Sequence, residues 1–346
     1  MSPRVIVWIA AAFAAIALPF LVLLTGERVQ GRDFLWNFSK GLGFGALAMA
    51  GMQFALTARF RRLTHPFGAD IVYLFHRYLA LGALAMMLGH FGILYIWHQD
   101  ALGELNPLAP RWELTAGRLA LVCFIGLVVT SELRKRIHLE YELWRYLHVA
   151  LAIVGFGAAI AHVLGVGRLT ADPGTRALWL GVTIGWVGML VWVRFAKPLQ
   201  QLRNPWRLAE NREERGGVDS LVFKPNGAGL MRWKPGQFVW LTLENSPFGL
   251  REHPFTISTP PEHGDHVTLS IKPLGDFSER VVATKPGATA YLDGPYGTFS
   301  IDNCEGATGF VMIAGGVGIT PMMSNLHAMK ARNDQRPVIL FYANPN

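Results

Sequence analysis

Six apolar runs govern the first 197 residues: Val5–Leu24, Gly41–Ala58, Ile71–Trp97, Leu114–Thr130, Tyr146–Val166 and Ala177–Phe195. Each is close to the roughly 20 residues a helix needs to cross a hydrocarbon core. In lipid every backbone N–H and C=O has to be satisfied within its own segment, so runs of this length must be helices. Six crossings return the chain to its starting side. Only 16% of the residues are charged, against about a quarter in soluble domains. The first run is longer than a usual signal-peptide core, and no small-residue cleavage site precedes Thr25-Gly26-Glu27, so it reads as a retained helix. Two cysteines and no Cys/His cluster of zinc-finger spacing exclude a disulfide-stapled module and a structural zinc domain.

The net charge of +8 raises the question of nucleic acid. Through residue 207, however, twelve Lys and Arg side chains sort to one side of the six spans and seven to the other, with Arg77 left at a helix start. That bias places the N-terminus and everything after residue 197 in the cytoplasm, as expected of a multi-pass protein of the inner (plasma) membrane. No basic stripe with interleaved aromatics asks for a nucleic acid. The partner this charge pattern implies is the lipid bilayer.

Intramembrane ionisable residues are costly and mark function. The third run carries His76 and His90, the fifth His148 and His162, and both pairs are 14 residues apart. A step of 14 residues ends about 40° short of four full turns and rises about 21 Å, so both histidines of a pair share one face at two depths. The two runs point the same way, which sets His76 level with His148 and His90 level with His162. Two facing imidazoles at each level suit the axial positions of a b-type haem. The competing readings are histidines hydrogen-bonded to neighbouring helices and a proton relay, neither of which needs equal depths. Phe156, midway between His148 and His162, stands in the gap between two haems or is ordinary packing. Arg77 and Arg145 lie near the inner histidines, where they meet haem propionates or simply mark the interface; His65 and His98 receive no role.

After residue 197, prolines, charges and short alternating stretches take over: Val218–Phe223, Gln237–Leu243, Phe255–Ser258, Val267–Lys272 and Thr289–Leu292, an antiparallel barrel pattern. Within it, Lys272 to Arg280 reads as a strand end, a glycine turn and a capped helix start. Gly309–Ala314 then reads as a buried strand, followed by Gly315-Gly316-Val317-Gly318-Ile319-Thr320-Pro321. The glycines allow close backbone approach to a phosphate, with Thr320 as a cap and Pro321 in the first turn of the next helix. The cluster lacks the Lys-Ser/Thr ending of a P-loop and has Pro where a third dinucleotide-fold glycine would stand.

The run His253-Pro254-Phe255-Thr256-Ile257-Ser258, the turn Gly275-Asp276-Phe277-Ser278, Gly294-Pro295-Tyr296-Gly297 and Ala314 to Pro321 resemble, in this order, the FAD and nicotinamide motifs of the NADPH oxidase and ferric reductase superfamily. With the histidine pairs, the resemblance covers essentially the whole chain. It implies a six-helix transmembrane dihaem bundle over 1–197, an antiparallel β-barrel FAD domain over 198–303, and the first part of an α/β NAD(P)-binding domain over 304–346. It also implies that His253, Pro254, Phe255, Thr256 and Ser258 lie on the flavin strand, with Thr256 near the isoalloxazine and His253 toward the phosphates. Lys272, Gly275, Phe277 and Ser278 are then expected around FAD, and Gly315, Gly316, Gly318, Thr320 and Pro321 at the nicotinamide-nucleotide diphosphate. The 38 residues from Gly309 are fewer than a domain usually needs, so they read as a fragment, without the later Cys-Gly-Pro element and terminal aromatic.

The cofactors implied are two haem b, FAD and NAD(P)H. The implied activity moves electrons from cytoplasmic NAD(P)H to an extracytoplasmic small acceptor without a covalent catalytic residue. Dioxygen giving superoxide is the acceptor favoured by the His-Pro-Phe-Thr form. The alternatives are ferric-chelate reduction and a dihaem relay subunit serving a periplasmic partner.

Overall fold

The computed structural model describes residues 6–14, 16–17, 33–59, 67–104, 106, 111–167, 173–227 and 231–344. Val5, Ala15 and the end of the first apolar run from residue 18, His65, and the loop arginines Arg4, Arg28, Arg32, Arg61, Arg62 and Arg168 lie outside them. The chain divides into two compact units, 1–64 with 70–192 and 65–69 with 193–346.

In the first unit a helical stretch over 6–14 is followed by α1 (Phe34–Thr57), α2 (Ala69–Trp97), α3 (Trp112–Leu133), α4 (Tyr141–Val166) and α5 (Pro173–Val191). Asp33 caps α1 by accepting the Trp36 N–H at 2.8 Å. At the end of α4, Gly167 takes the left-handed conformation (φ 66°) and returns its N–H to the Val163 carbonyl. Among the described residues four helices are long and apolar enough to cross a membrane: α2, α3, α4 and the stretch Pro173–Arg203. The 24-residue α1 is not one of them. It is the best buried helix of the unit, with Ser39, Phe44, Gly45, Leu47 and Gly51 among its enclosed residues, and small and polar side chains suit a helix surrounded by protein rather than lipid. The run visible in the sequence, Gly41–Ala58, therefore understates its N-terminal extent.

α3 packs along α4, and α1 against α5 and α4. Their shared core contains Phe44, Leu47, Phe124, Leu127, Phe156, Trp179 and Trp186. At Gly51 a Cβ would fall 2.1 Å from the Trp186 ring, so only glycine lets that indole lie against α1. The outward faces carry apolar side chains such as Val122 and Ile184, 66% and 70% exposed, as a lipid-facing surface requires.

A π-helical turn, Trp192–Ala196, carries the chain from the first unit into the second, where α6 (Lys197–Arg203) follows. Six strands follow: β1 (Trp206–Glu214), β2 (Val218–Pro225), β3 (Phe238–Leu243), β4 (His253–Thr256), β5 (Val267–Ile271) and β6 (Thr289–Tyr296), with α7 (Asp276–Val282) between β5 and β6. They form one antiparallel sheet in the order β4-β3-β6-β1-β2-β5. An Ile257–Leu269 bridge, and the Ser258 N–H donating to the Thr268 carbonyl at 2.9 Å, bring its two edges together. The inward positions alternate as the pleat demands: Val267, Leu269 and Ile271 from β5 meet Leu221, Phe223, Val239 and Leu241. Strand β1 is absent from the sequence expectation because its run Trp-Arg-Leu-Ala-Glu-Asn-Arg-Glu-Glu is mostly charged; only Trp206 and Leu208 are buried, and hairpin pairing with β2 across Gly216 and Gly217, both at positive φ, makes it a strand.

The chain continues into β7 (Phe310–Gly315), a 3₁₀ turn Gly316–Ile319, α8 (Thr320–Ala331) and β8 (Val338–Ala343), with β7 and β8 parallel. A helical crossover between parallel strands is the βαβ unit.

Candidate functional site

His76 and His90 stand on α2, His148 and His162 on α4, and the rings meet in two pairs. The His76–His148 centroids are 6.3 Å apart and the His90–His162 centroids 6.5 Å. An imidazole nitrogen sits about 2.0–2.1 Å from a bound metal, so two imidazoles about one metal have centroids ~6.3 Å apart. Both spacings are those that two imidazoles would have with one metal between them. Among the described residues no group of three or more His, Cys, Asp or Glu gathers for a metal ion, so what the helices offer is two-imidazole pairs.

Each ring also has a partner at its second nitrogen. His90 Nδ1 lies 2.9 Å from the Ser39 carbonyl and 2.8 Å from Ser39 Oγ; His162 Nδ1 lies 2.8 Å from the Glu113 carbonyl; His148 Nδ1 lies 3.2 Å from Ser131 Oγ. His76 Nδ1 meets the side-chain amide of Gln53 at 2.7 Å. Fixing one imidazole nitrogen in this way orients the other toward a metal. Space is arranged as well: a Cβ on Gly117 would stand 2.8 Å from His162 Nδ1, and one on Gly43 3.5 Å from the His90 ring. Ser39, Gln53, Ser131 and Gly117 escape sequence reading because helical spacing orders residues along one helix and is silent about which residues of a neighbour face them.

Phe156 is buried on α4, edge-on to Phe54 at 4.9 Å and to Trp186 at 5.4 Å. Arg77 forms a two-pronged pair with the Glu132 carboxylate at 2.8 and 2.7 Å, so its guanidinium is engaged by protein.

In the second unit, His253, Pro254, Phe255 and Thr256 make up β4, which lies at the edge of the hydrogen-bonded order, the place where a strand tolerates proline. The His253 ring stacks on Phe277 at 3.8 Å and 25°, and Phe255 lies 6.3 Å from the same ring. Ser278 Oγ accepts the Leu274 N–H and donates to the Gly275 carbonyl, both at 2.9 Å, which tightens the turn that carries Phe277. Ser258 donates to the Thr268 carbonyl. Ser258, Lys272, Gly316 and Thr320 come together around a cavity of about 420 Å³, joined by Arg212, Arg215 and His327; His253, Phe255 and Phe277 do not line it.

Gly315 ends β7, and a Cβ on Gly275, Gly316 or Gly318 would meet nothing within 4 Å, so these backbones are open to a ligand. Gly316 has φ 51°, a left-handed conformation that favours glycine. The capping expected of Thr320 is not what forms: Thr320 is the first residue of α8, and its Oγ1 donates to the Val317 carbonyl at 2.8 Å. Pro321 does sit in the first turn. Burial, then the charges of Lys330 and His263, hold the His327 imidazolium below its ordinary pKa.

Residues 42–160 match the ferric reductase like transmembrane component, 221–300 an FAD-binding domain and 312–346 the oxidoreductase NAD-binding domain. A relative named probable cell surface ferric reductase, from Aspergillus oryzae, is 28% identical over 86% of this chain and 41% of its own length. A probable dihydroorotate dehydrogenase B electron transfer subunit from Methanopyrus kandleri is 32% identical over 34% of this chain and 41% of its own. The solved FAD/NAD-binding domain of nitric oxide dioxygenase from Vibrio cholerae is 26% identical, with a TM-score of 0.37 over 41% of this chain and 63% of that one. The chain spans about two fifths of the length of these two curated relatives. Along its length the chain thus resembles, in order, a ferric-reductase-like transmembrane component, an FAD-binding domain and an oxidoreductase NAD-binding domain.

Proposed function

We propose that this chain is a transmembrane electron carrier that takes electrons from cytoplasmic NAD(P)H and delivers them singly to a small acceptor on the far side, a ferric chelate above all. The observation that carries the reading is the pair of imidazole pairs, 6.3 and 6.5 Å between centroids, on two helices of membrane-crossing length. His76 with His148 would hold one b-type haem and His90 with His162 a second. Bound there, haem supplies one-electron transfer, and FAD converts the two-electron chemistry of a nicotinamide into single electrons. The chain's own part is positional. Ser39, Glu113 and Ser131 hold rings in place, and the Phe54–Phe156–Trp186 cluster packs the helices that bear them. The strand His253–Thr256 and the turn at Phe277 would bind the flavin, while the open backbone at Gly316 and Gly318 would take the nicotinamide-nucleotide diphosphate.

The full arrangement includes six spans, α1 and the first apolar run among them, with the second unit in the cytoplasm by the positive-inside rule. The ferric-chelate reading is supported by similarity to a ferric-reductase relative over 86% of the chain. Dioxygen is the second reading, favoured by the His253-Pro254-Phe255-Thr256 form. The test is spectroscopic and kinetic: purified protein is reduced anaerobically, by NADH or NADPH and separately by dithionite, then divided between a ferric chelate and dioxygen. A Soret band that splits its loss between H76L and H90L, with faster reoxidation by the chelate, is the expected result. Reoxidation by dioxygen alone replaces the ferric reading with the oxidase reading, and a wild-type protein without a Soret band sinks both.

A further inference from the structure

A histidine that binds a metal through Nε2 carries its proton on Nδ1, so Nδ1 needs an acceptor. At three of the four histidines the acceptor is fixed. The Ser39 and Glu113 carbonyls can only accept, and Ser131 Oγ has committed its own proton to the Leu127 carbonyl at 2.6 Å, leaving lone pairs for His148 and for the Trp144 indole N–H at 3.3 Å. Those rings have one tautomer open to them, the ligating one.

His76 differs. Its Nδ1 faces an amide, which offers an acceptor at one end and donors at the other. As it stands, the Gln53 oxygen faces His76 Nδ1 and the His76 carbonyl; turned by 180°, the nitrogen would donate to Nδ1 at 2.7 Å and to that carbonyl at 3.2 Å, while the oxygen would accept the Ala80 N–H at 3.0 Å. Every polar atom of the amide is then matched, yet this arrangement occupies the Nδ1 lone pair and puts the proton on Nε2, the atom a metal would need. The orientation with oxygen toward Nδ1 accepts Nδ1–H and frees Nε2, but sets that oxygen against the His76 carbonyl.

Resting on the reading of the histidine pairs as haem ligands, we infer that Gln53 is the positioning residue of the inner site: the orientation of its amide decides whether His76 can ligate. The two levels are therefore unequal. The outer rings are held in the ligating state by main-chain carbonyls, whereas the inner site must hold its amide against the better-matched orientation. The inner haem is retained less firmly than the outer, and its potential answers to residue 53.

The test uses the full chain purified in detergent, with haem counted per chain, haem retention measured against excess apomyoglobin, and a reductive titration followed in the Soret region. The outer signal is identified as the one missing from H90L and serves as the folding control. In Q53E the carboxylate can only accept; it fixes Nδ1–H and gives the imidazole more anionic character, so the reduced-to-oxidised ratio of the inner haem at a fixed poise falls at least tenfold, 59 mV for a one-electron couple. In Q53L the acceptor is gone, and haem per chain falls from two toward one as apomyoglobin strips the inner site first. Variants with an intact outer signal whose inner potential and retention equal those of the wild type overturn the role of Gln53 while leaving the ligand reading standing. Equal shifts at both levels overturn it too, because they indicate a general loosening of α1. Absence of any Soret band in the wild type removes the ligand reading and this inference together.

Discussion

A single hydrogen where Gly117 lacks a side chain gives His162 its place. The added methyl of G117A would lie 2.8 Å from Nδ1, and the ring would have to turn away from the Glu113 carbonyl that fixes it. On the dihaem reading, G117A is expected to lose most of the outer haem and to keep the inner one, seen as haem per chain falling toward one with the H76L-sensitive signal intact. Loss of both signals in equal measure would show that the glycine serves helix packing generally. A second residue-scale effect depends on pH. His327 resists its proton because it is partly buried near Lys330 and His263, whereas the unfolded chain titrates near 6.5. As pH falls through that value the unfolded state binds the proton that the folded state refuses, and stability is lost. H327N removes that term, so its thermal midpoint should decline less between pH 7.5 and pH 5.5 than that of the wild type. Parallel declines would show that His327 titrates freely.

Among elements, the contact that most depends on buried polar chemistry is α8 against the antiparallel sheet's connecting loops. Asn325, 1% exposed, accepts the Ile301 N–H at 2.9 Å and donates to the Pro321 carbonyl at 2.7 Å, and Ser324 Oγ accepts the Gly236 N–H at 3.1 Å. Gly236 itself sits at φ 81°, where a Cβ would fall 2.2 Å from the Phe299 carbonyl. Arg332 adds an ion pair to Glu262 at 2.5 Å and a second to Asp302. N325L strands the buried Ile301 N–H, at a cost of about 1–3 kcal/mol. Hydrogen exchange in the peptide around Ile301 should accelerate roughly tenfold or more in this variant, while R332A, losing partly exposed pairs, should change it little. The opposite ranking would place the hold on the ion pairs. None of these bonds is legible in the sequence, because Asn325 and Ile301 are far apart along the chain and a buried asparagine reads there as a surface helix residue. By contrast, the apolar runs, the alternation of Val267, Leu269 and Ile271 and the strand-turn-helix at Gly315–Pro321 were readable, since each is a periodicity within one segment. The paired histidines fall between these cases: their spacing gave the levels, and the partners of their second nitrogens appeared only with the neighbouring helices in place.

At the scale of the whole molecule, the reading depends on which side of the membrane each unit faces, and the chain carries its own reporters. It has two free cysteines: Cys123, buried in α3 within the first unit, and Cys304, exposed in the second. If residues from 193 onward lie in the cytoplasm, Cys304 is shielded in intact spheroplasts from a maleimide that cannot cross lipid, and becomes reactive when the membrane is opened or inverted. Cys123 should stay unlabelled in every native preparation, because its thiol is enclosed by helices, and should react only after denaturation. C304S removes the native signal and leaves the denatured one, which assigns the label. Labelling of Cys304 in intact spheroplasts would reverse the orientation and place the flavin and nicotinamide motifs on the same side as the proposed acceptor. Paired imidazoles at two depths would then have no gradient to bridge, and electron delivery across the bilayer would fail as an account of why they are there.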